Sequence, residues 1–121
     1  MEHSFSVELA IDFGIQEAVL IRHFQFWILK NRSCKKHKYE NRTWTYGSAK
    51  ELSTLFPYLS PKQVERTIKR LVDSGVILTK QMNVSDWDRT LWYAFVNEKQ
   101  MLGPTLTKGV RRQMRAKKER E

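Results

Sequence analysis

A single cysteine, Cys34, stands in 121 residues. One thiol excludes an intramolecular disulfide and suits a reducing cytosol. Metal donors are short too. Cys34 and His37 have a spacing that can seed a zinc site, but zinc takes about four ligands and no second Cys/His cluster follows. No stretch approaches the ~18 uninterrupted apolar residues of a membrane span. Met1–Ile11, interrupted by Glu2 and Glu8, does not read as a signal peptide. P-loop, Gly-rich dinucleotide and HExxH signatures are all missing. His3, His23 and His37 stand in unrelated contexts, and Asp86 and Asp88 suit a turn. The expectation is a chain with no catalytic activity, no cofactor, no metal and no membrane partner, at work in the cytoplasm.

Negative charge is also scarce: 13 Asp+Glu face 22 Lys+Arg, a net +9. That excess favours an anionic partner, with nucleic acid ahead of an acidic membrane surface. Part of it is local. Lys108, Arg111, Arg112, Arg115, Lys117, Lys118 and Arg120 against Glu119 and Glu121 give the tail +5, leaving residues 1–107 at +4. Hydrophobic residues make up 40%, enough for a folded globule. The division expected is one domain over 1–102 and a basic, flexible tail over 103–121.

The best-defined element lies at 60–75. Ser60 can cap a helix, Pro61 suits its first position, Gln63 completes a capping box, and Gly75 is a left-handed terminator. At 100° per residue, Val64, Ile68, Leu71 and Val72 form a core stripe, with Lys62, Gln63, Arg66, Lys69 and Arg70 opposite. A shorter helix starts after Ser48 and runs to Phe56, broken by Pro57. Two capped helices joined by a tight turn make a helix-turn-helix.

Residues 76–81 and 89–96 read as two strands around a polar loop, and Thr43–Tyr46 as a short strand before the helices. Upstream, a helix is expected from about Ile15 to Lys30, with apolar residues nearly all round it. Such a helix needs cover on several sides, from the chain itself or from a second copy through residues 15–30. Residues 31–43 are polar and basic and read as a loop. Residues 1–13 stay undecided between a helical turn and an extended lead-in. The fold class expected is α+β, mainly α: a winged helix-turn-helix with a C-terminal β-hairpin wing.

Residues 44–96 resemble the N-terminal domain of phage replisome organisers, replication initiators related to DnaD-like winged-helix proteins. The resemblance rests on Trp44-Thr45-Tyr46, the run Leu55-Phe56-Pro57-Tyr58-Leu59-Ser60, Gln63, the helix end Leu71–Gly75, and Asp88-Arg89-Thr90 with Trp92-Tyr93. Ala18–Ile28, with Phe26-Trp27-Ile28, is similar to the long first helix of that group, so about three quarters of the chain is covered. It implies a winged-helix domain that binds origin DNA and helps assemble replication proteins. Such proteins are usually longer, so the chain is expected to be a piece of one or a small relative keeping the DNA-binding half.

The expected function is therefore sequence-specific double-stranded DNA binding in a phage or plasmid replication initiator. It would act in the cytoplasm of a bacterial host, associated with the nucleoid. The recognition helix supplies Lys62, Gln63, Arg66, Lys69 and Arg70, with Gln63 and Arg66 placed for bases and Ser60 and Lys62 for phosphate. Lys80 and Arg89 on the wing, and Arg111, Arg112 and Arg115 in the tail, suit backbone contact. Trp92 and Tyr93 read as sheet and core packing rather than base stacking. Two alternatives stay open: a winged-helix transcriptional regulator, and a protein-interaction module self-associating through its first helix.

Overall fold

A computed structural model describes residues 2–81 and 90–102. The connection at 82–89, with Asp86, Asp88 and Arg89, and the tail from 103, with Arg111, Arg112 and Arg115, lie outside the described residues. The lead-in is a helix, α1 (Val7–Phe13), because the Ser6 hydroxyl accepts from the Leu9 N–H and caps it. Gly14 then turns the chain into α2 (Ile15–Ser33), with a φ of 112° that L side chains rarely adopt. A Cβ there would also lie 2.3 Å from Glu17 Oε2. Gly14→Ala should lower unfolding free energy by about 1–2 kcal/mol, measured by urea denaturation.

α2 is the axis of the molecule, about 28 Å long at 1.5 Å per residue. Ala18, Val19, Leu20, Ile21, Phe24 and Ile28 are buried, against Leu9 of α1 and the elements that follow. The helix is not covered all round: Ile15, Phe26, Trp27 and Leu29 remain exposed.

Residues 31–43 correct the expectation of a loop. Three of them extend α2, four make a turn, and 38–43 form a small hairpin of β1 (Lys38–Tyr39) and β2 (Arg42–Thr43). Its two turn residues, Glu40 and Asn41, both take positive φ, 55° and 62°. That is the signature of a two-residue primed turn, here made without the glycine that would advertise it in sequence. Trp44 pins the hairpin, its Nε1 donating to Tyr39 O at 2.9 Å.

β3 (Thr45–Gly47) leads to α3 (Ala49–Leu55), capped by the Ser48 hydroxyl accepting from Glu51 N–H. α4 (Pro61–Asp73) has the full capping box and Pro at its start. It ends in a Schellman motif, with Gly75 N–H donating to Val72 O and Val76 N–H to Leu71 O while Gly75 sits at φ 73°. β4 (Ile77–Lys80) and β5 (Leu91–Phe95) follow, and β5 pairs antiparallel with both β4 and β3, giving the order β3-β5-β4. A single turn, α5 (Glu98–Met101), closes the described chain.

The fold is α+β and mainly helical. Its core lies between α2 and the inner sheet face, where Phe24 stacks on Tyr93 with ring centroids 4.9 Å apart. Leu52, Phe56 and Leu59 close it from α3 and the turn, and Val64, Ile68 and Leu71 from α4. Tyr93 is buried, its hydroxyl donating to Gly47 O at 2.9 Å. Burial first, and the Glu51 carboxylate second, push that hydroxyl's pKa up. Trp92 stands on the opposite sheet face, half-buried, its ring 4.8 Å from Tyr46 and 5.1 Å from His37.

Candidate nucleic-acid interface

The capping and termination of α4 set which side chains it shows. Val64, Thr67, Ile68 and Leu71 are buried. At 100° per residue Lys62, Arg66 and Lys69 then fall on the ridge pointing directly away from the core. All three are exposed, and none is in either ion pair of the described residues. Glu65 flanks this ridge, and Asp73, the last residue of the helix, closes the same line, so the ridge is basic along its length and acidic at its C-terminal end.

Gln63 and Arg70 lie on the flank facing α2, and both are committed to holding the structure. Gln63 Oε1 accepts from Ser60 N–H at 2.8 Å while Ser60 Oγ accepts from Gln63 N–H at 3.2 Å. A bidentate pairing with adenine needs a glutamine's Oε1 and Nε2 together, so that pairing would compete with the cap. Ser60 is likewise spent on the cap. Pro61 has no N–H, so the backbone donor left at the helix start is that of Lys62.

Arg70 Nη1 donates to Glu17 Oε1 at 3.0 Å, with the Arg70 side chain 65% exposed and that of Glu17 4%. Arg70 therefore neutralises a carboxylate buried at the start of α2. Beside this pair, Thr67 Oγ1 lies 2.7 Å from Gln63 O and 3.2 Å from Gln16 Oε1. These contacts fix α4 against α2. Between the two helices runs an open groove of about 440 Å³, bordered by Gln16, Glu17, Gln63, Arg66 and Arg70.

On the sheet, Lys80 is paired with Glu40 of the small hairpin. It shares a register row with Trp92 and Tyr46. Arg89, Arg111, Arg112 and Arg115 lie outside the described residues. The structure thus brings Lys62, Arg66 and Lys69 together as a cationic ridge with no ion pair among the described residues, and gives Arg70 and Lys80 acidic partners.

Three participants were not singled out from sequence: Glu17, Gln16 and Thr67. An acidic residue in the first turn of a helix is favourable wherever its side chain ends, so nothing local says that Glu17 is buried. Its partner lies 53 residues away. Among the described residues no group of three or more His, Cys, Asp or Glu is placed to hold a metal ion, and no helix is long and apolar enough to cross a membrane. No protein-family model, no curated protein and no solved structure matches the chain.

Proposed function

We propose that the chain is a winged helix that binds double-stranded DNA in a sequence-specific manner, as the origin-binding part of a phage or plasmid replication initiator. The observation that carries it is the α4 ridge: Lys62, Arg66 and Lys69 exposed, and in no ion pair among the described residues, on a helix fixed at both ends. A rigid helix with exposed cations on one line can enter a major groove without first giving up an ion pair to the rest of the described chain. The winged-helix assignment is supported by element order, with α3 and α4 followed by the antiparallel pair β4 and β5, and β3 as third strand. The replication role rests on the motif resemblance alone. No reaction is assigned to the chain.

Within this reading Arg66 is the base reader, while Lys62 and Lys69 meet phosphate. Arg66→Ala should cost about 2 kcal/mol of binding to the cognate site and relax specificity at one position. Fluorescence anisotropy on a site selected from a random DNA pool measures it, and unchanged affinity removes Arg66 from the interface.

A second reading is favoured by a separate observation. Phe26 and Leu29 on α2 are 57% and 42% exposed, with Trp27 beside them. Three large apolar residues on one helix suit a partner surface, including a second copy of the chain. Phe26→Glu should then convert a dimer to a monomer in light scattering; a chain monomeric before substitution sinks this reading.

A further inference from the structure

We propose that a concavity at the far end of α2 is a second nucleic-acid contact, a cradle for phosphate backbone separate from α4. It rests on the reading of the chain as a DNA-binding protein, but not on α4 being the element that reads. Among the described residues its walls carry Arg32, Lys35, Lys36, Lys38 and Lys99, with Glu98 as the one carboxylate, around about 680 Å³. All five cations are exposed, and neither ion pair of the described residues includes one of them. Like charges crowded into one hollow repel each other, and a partner presenting several anions at once relieves that repulsion.

Three elements are tied together to form the hollow. Asn31 Nδ2, in the last turn of α2, donates to Trp44 O at 2.9 Å, and Trp44 N–H donates to His37 O at 2.9 Å. Arg42 Nη2 reaches Val96 O at 3.5 Å, and Gln25 Nε2 donates to Met101 O at 2.8 Å, which hold α5 and its Lys99 alongside. The backbone between is left-handed at Lys35, His37, Glu40 and Asn41, none of them glycine. Residues in that region each cost of order 1 kcal/mol and persist where their surroundings over-determine them. A surface lysine needs no such support to be solvated.

The lining also selects among polyanions. Asn41 and Thr43 complete it, and among the described residues no large apolar side chain does. A membrane surface or a peptide groove would be expected to offer an apolar anchor. Evenly spaced phosphates need only cations and hydrogen-bond donors. The hollow is also distant from the first site. Arg66 and Arg70 border the first turn of α2, whereas Arg32 is in its last, about 22 Å along the helix. The two contacts therefore engage different phosphates.

The test uses the full chain and a mixed-sequence duplex, with anisotropy titrations across a salt series. Each phosphate contact contributes about 0.9 to the slope of log affinity against log salt. Lys35→Gln/Lys36→Gln/Lys38→Gln/Lys99→Gln should lower that slope by about 3.6 and weaken binding at least about tenfold at low salt. Lys99→Gln alone, remote from the left-handed backbone, should lower it by about 1 and serves if the fourfold variant fails to fold. Slopes left unchanged by both variants overturn the cradle. If at the same time Lys62→Gln/Arg66→Gln/Lys69→Gln lowers the slope, the α4 reading stands alone. If only the cradle variants lower it, the cradle is supported and α4 is removed from the interface. No duplex binding by the unaltered chain overturns both.

Discussion

Replacing Arg70 with alanine should lower unfolding free energy by about 3 kcal/mol, a larger effect than any expected from Lys62, Arg66 or Lys69. The reason is the environment of its partner. Glu17 is 4% exposed and its carboxylate receives Arg70 Nη1 at 3.0 Å. Removing the guanidinium leaves a buried charge without its neutralising group, whereas removing both charges leaves little to neutralise. Arg70 is 65% exposed, so solvent moderates the loss toward the lower end of values for buried pairs. The double variant Glu17→Gln/Arg70→Ala should accordingly recover most of the lost stability. Urea unfolding of the two single variants and the double provides the cycle. An Arg70→Ala protein as stable as the unaltered one would mean that the pair is not formed in solution. The outcome also bears on binding data: a loss of DNA affinity in Arg70→Ala would report a loosened α4, not a lost base contact.

Acidification should cost the protein a comparable amount through one histidine. His23 is packed against Phe24, Trp27 and Phe56, with ring centroids 5.6, 6.5 and 5.4 Å away. Burial first, and His3 second, lower its pKa from 6.5 to about 4. Between those values the unfolded chain holds a proton that the folded chain does not. The sign follows: the contribution is fully present above 6.5 and is lost as pH falls to about 4, a difference of about 3 kcal/mol. Carboxylates also titrate in that window, so the informative quantity is a comparison. His23→Leu should show a shallower fall in unfolding free energy between pH 7 and pH 4, by about 3 kcal/mol, than the unaltered chain. Parallel curves would place His23 in a solvated setting.

How much of this was legible in the sequence depends on the range of the interactions involved. α4 was readable to its ends because its signals are local: Ser60, Pro61, Gln63 and Gly75 each act within a turn of where they stand. The α+β class and the β4–β5 pair were readable for a similar reason, since strand propensity is a property of short runs. The small hairpin was not readable. Its turn uses Glu40 and Asn41 in place of glycine and is held by Trp44, so its stability comes from tertiary contact. Half of the candidate site was likewise hidden. A helical wheel separates the basic face of α4 from its apolar face, but it cannot distinguish Arg66, in no ion pair among the described residues, from Arg70, drawn to Glu17. The cluster around Arg32 and Lys99 was hidden too, because residues about 65 positions apart are joined only through α5 and the hairpin.

The strand order has a consequence for how the chain comes into being. Among the described residues β5 is the last strand in sequence and the middle one of its sheet. Until Leu91–Phe95 emerges during synthesis, β3 and β4 have no strand between them, and Phe24 lacks the ring that stacks on it. Helices α1 to α4 can collapse around Leu20 and Phe56 earlier, but that intermediate carries two open strand edges. A nascent chain halted before residue 91 should therefore need chaperone protection. Completion of the sheet is a late event, timed by the arrival of one five-residue segment.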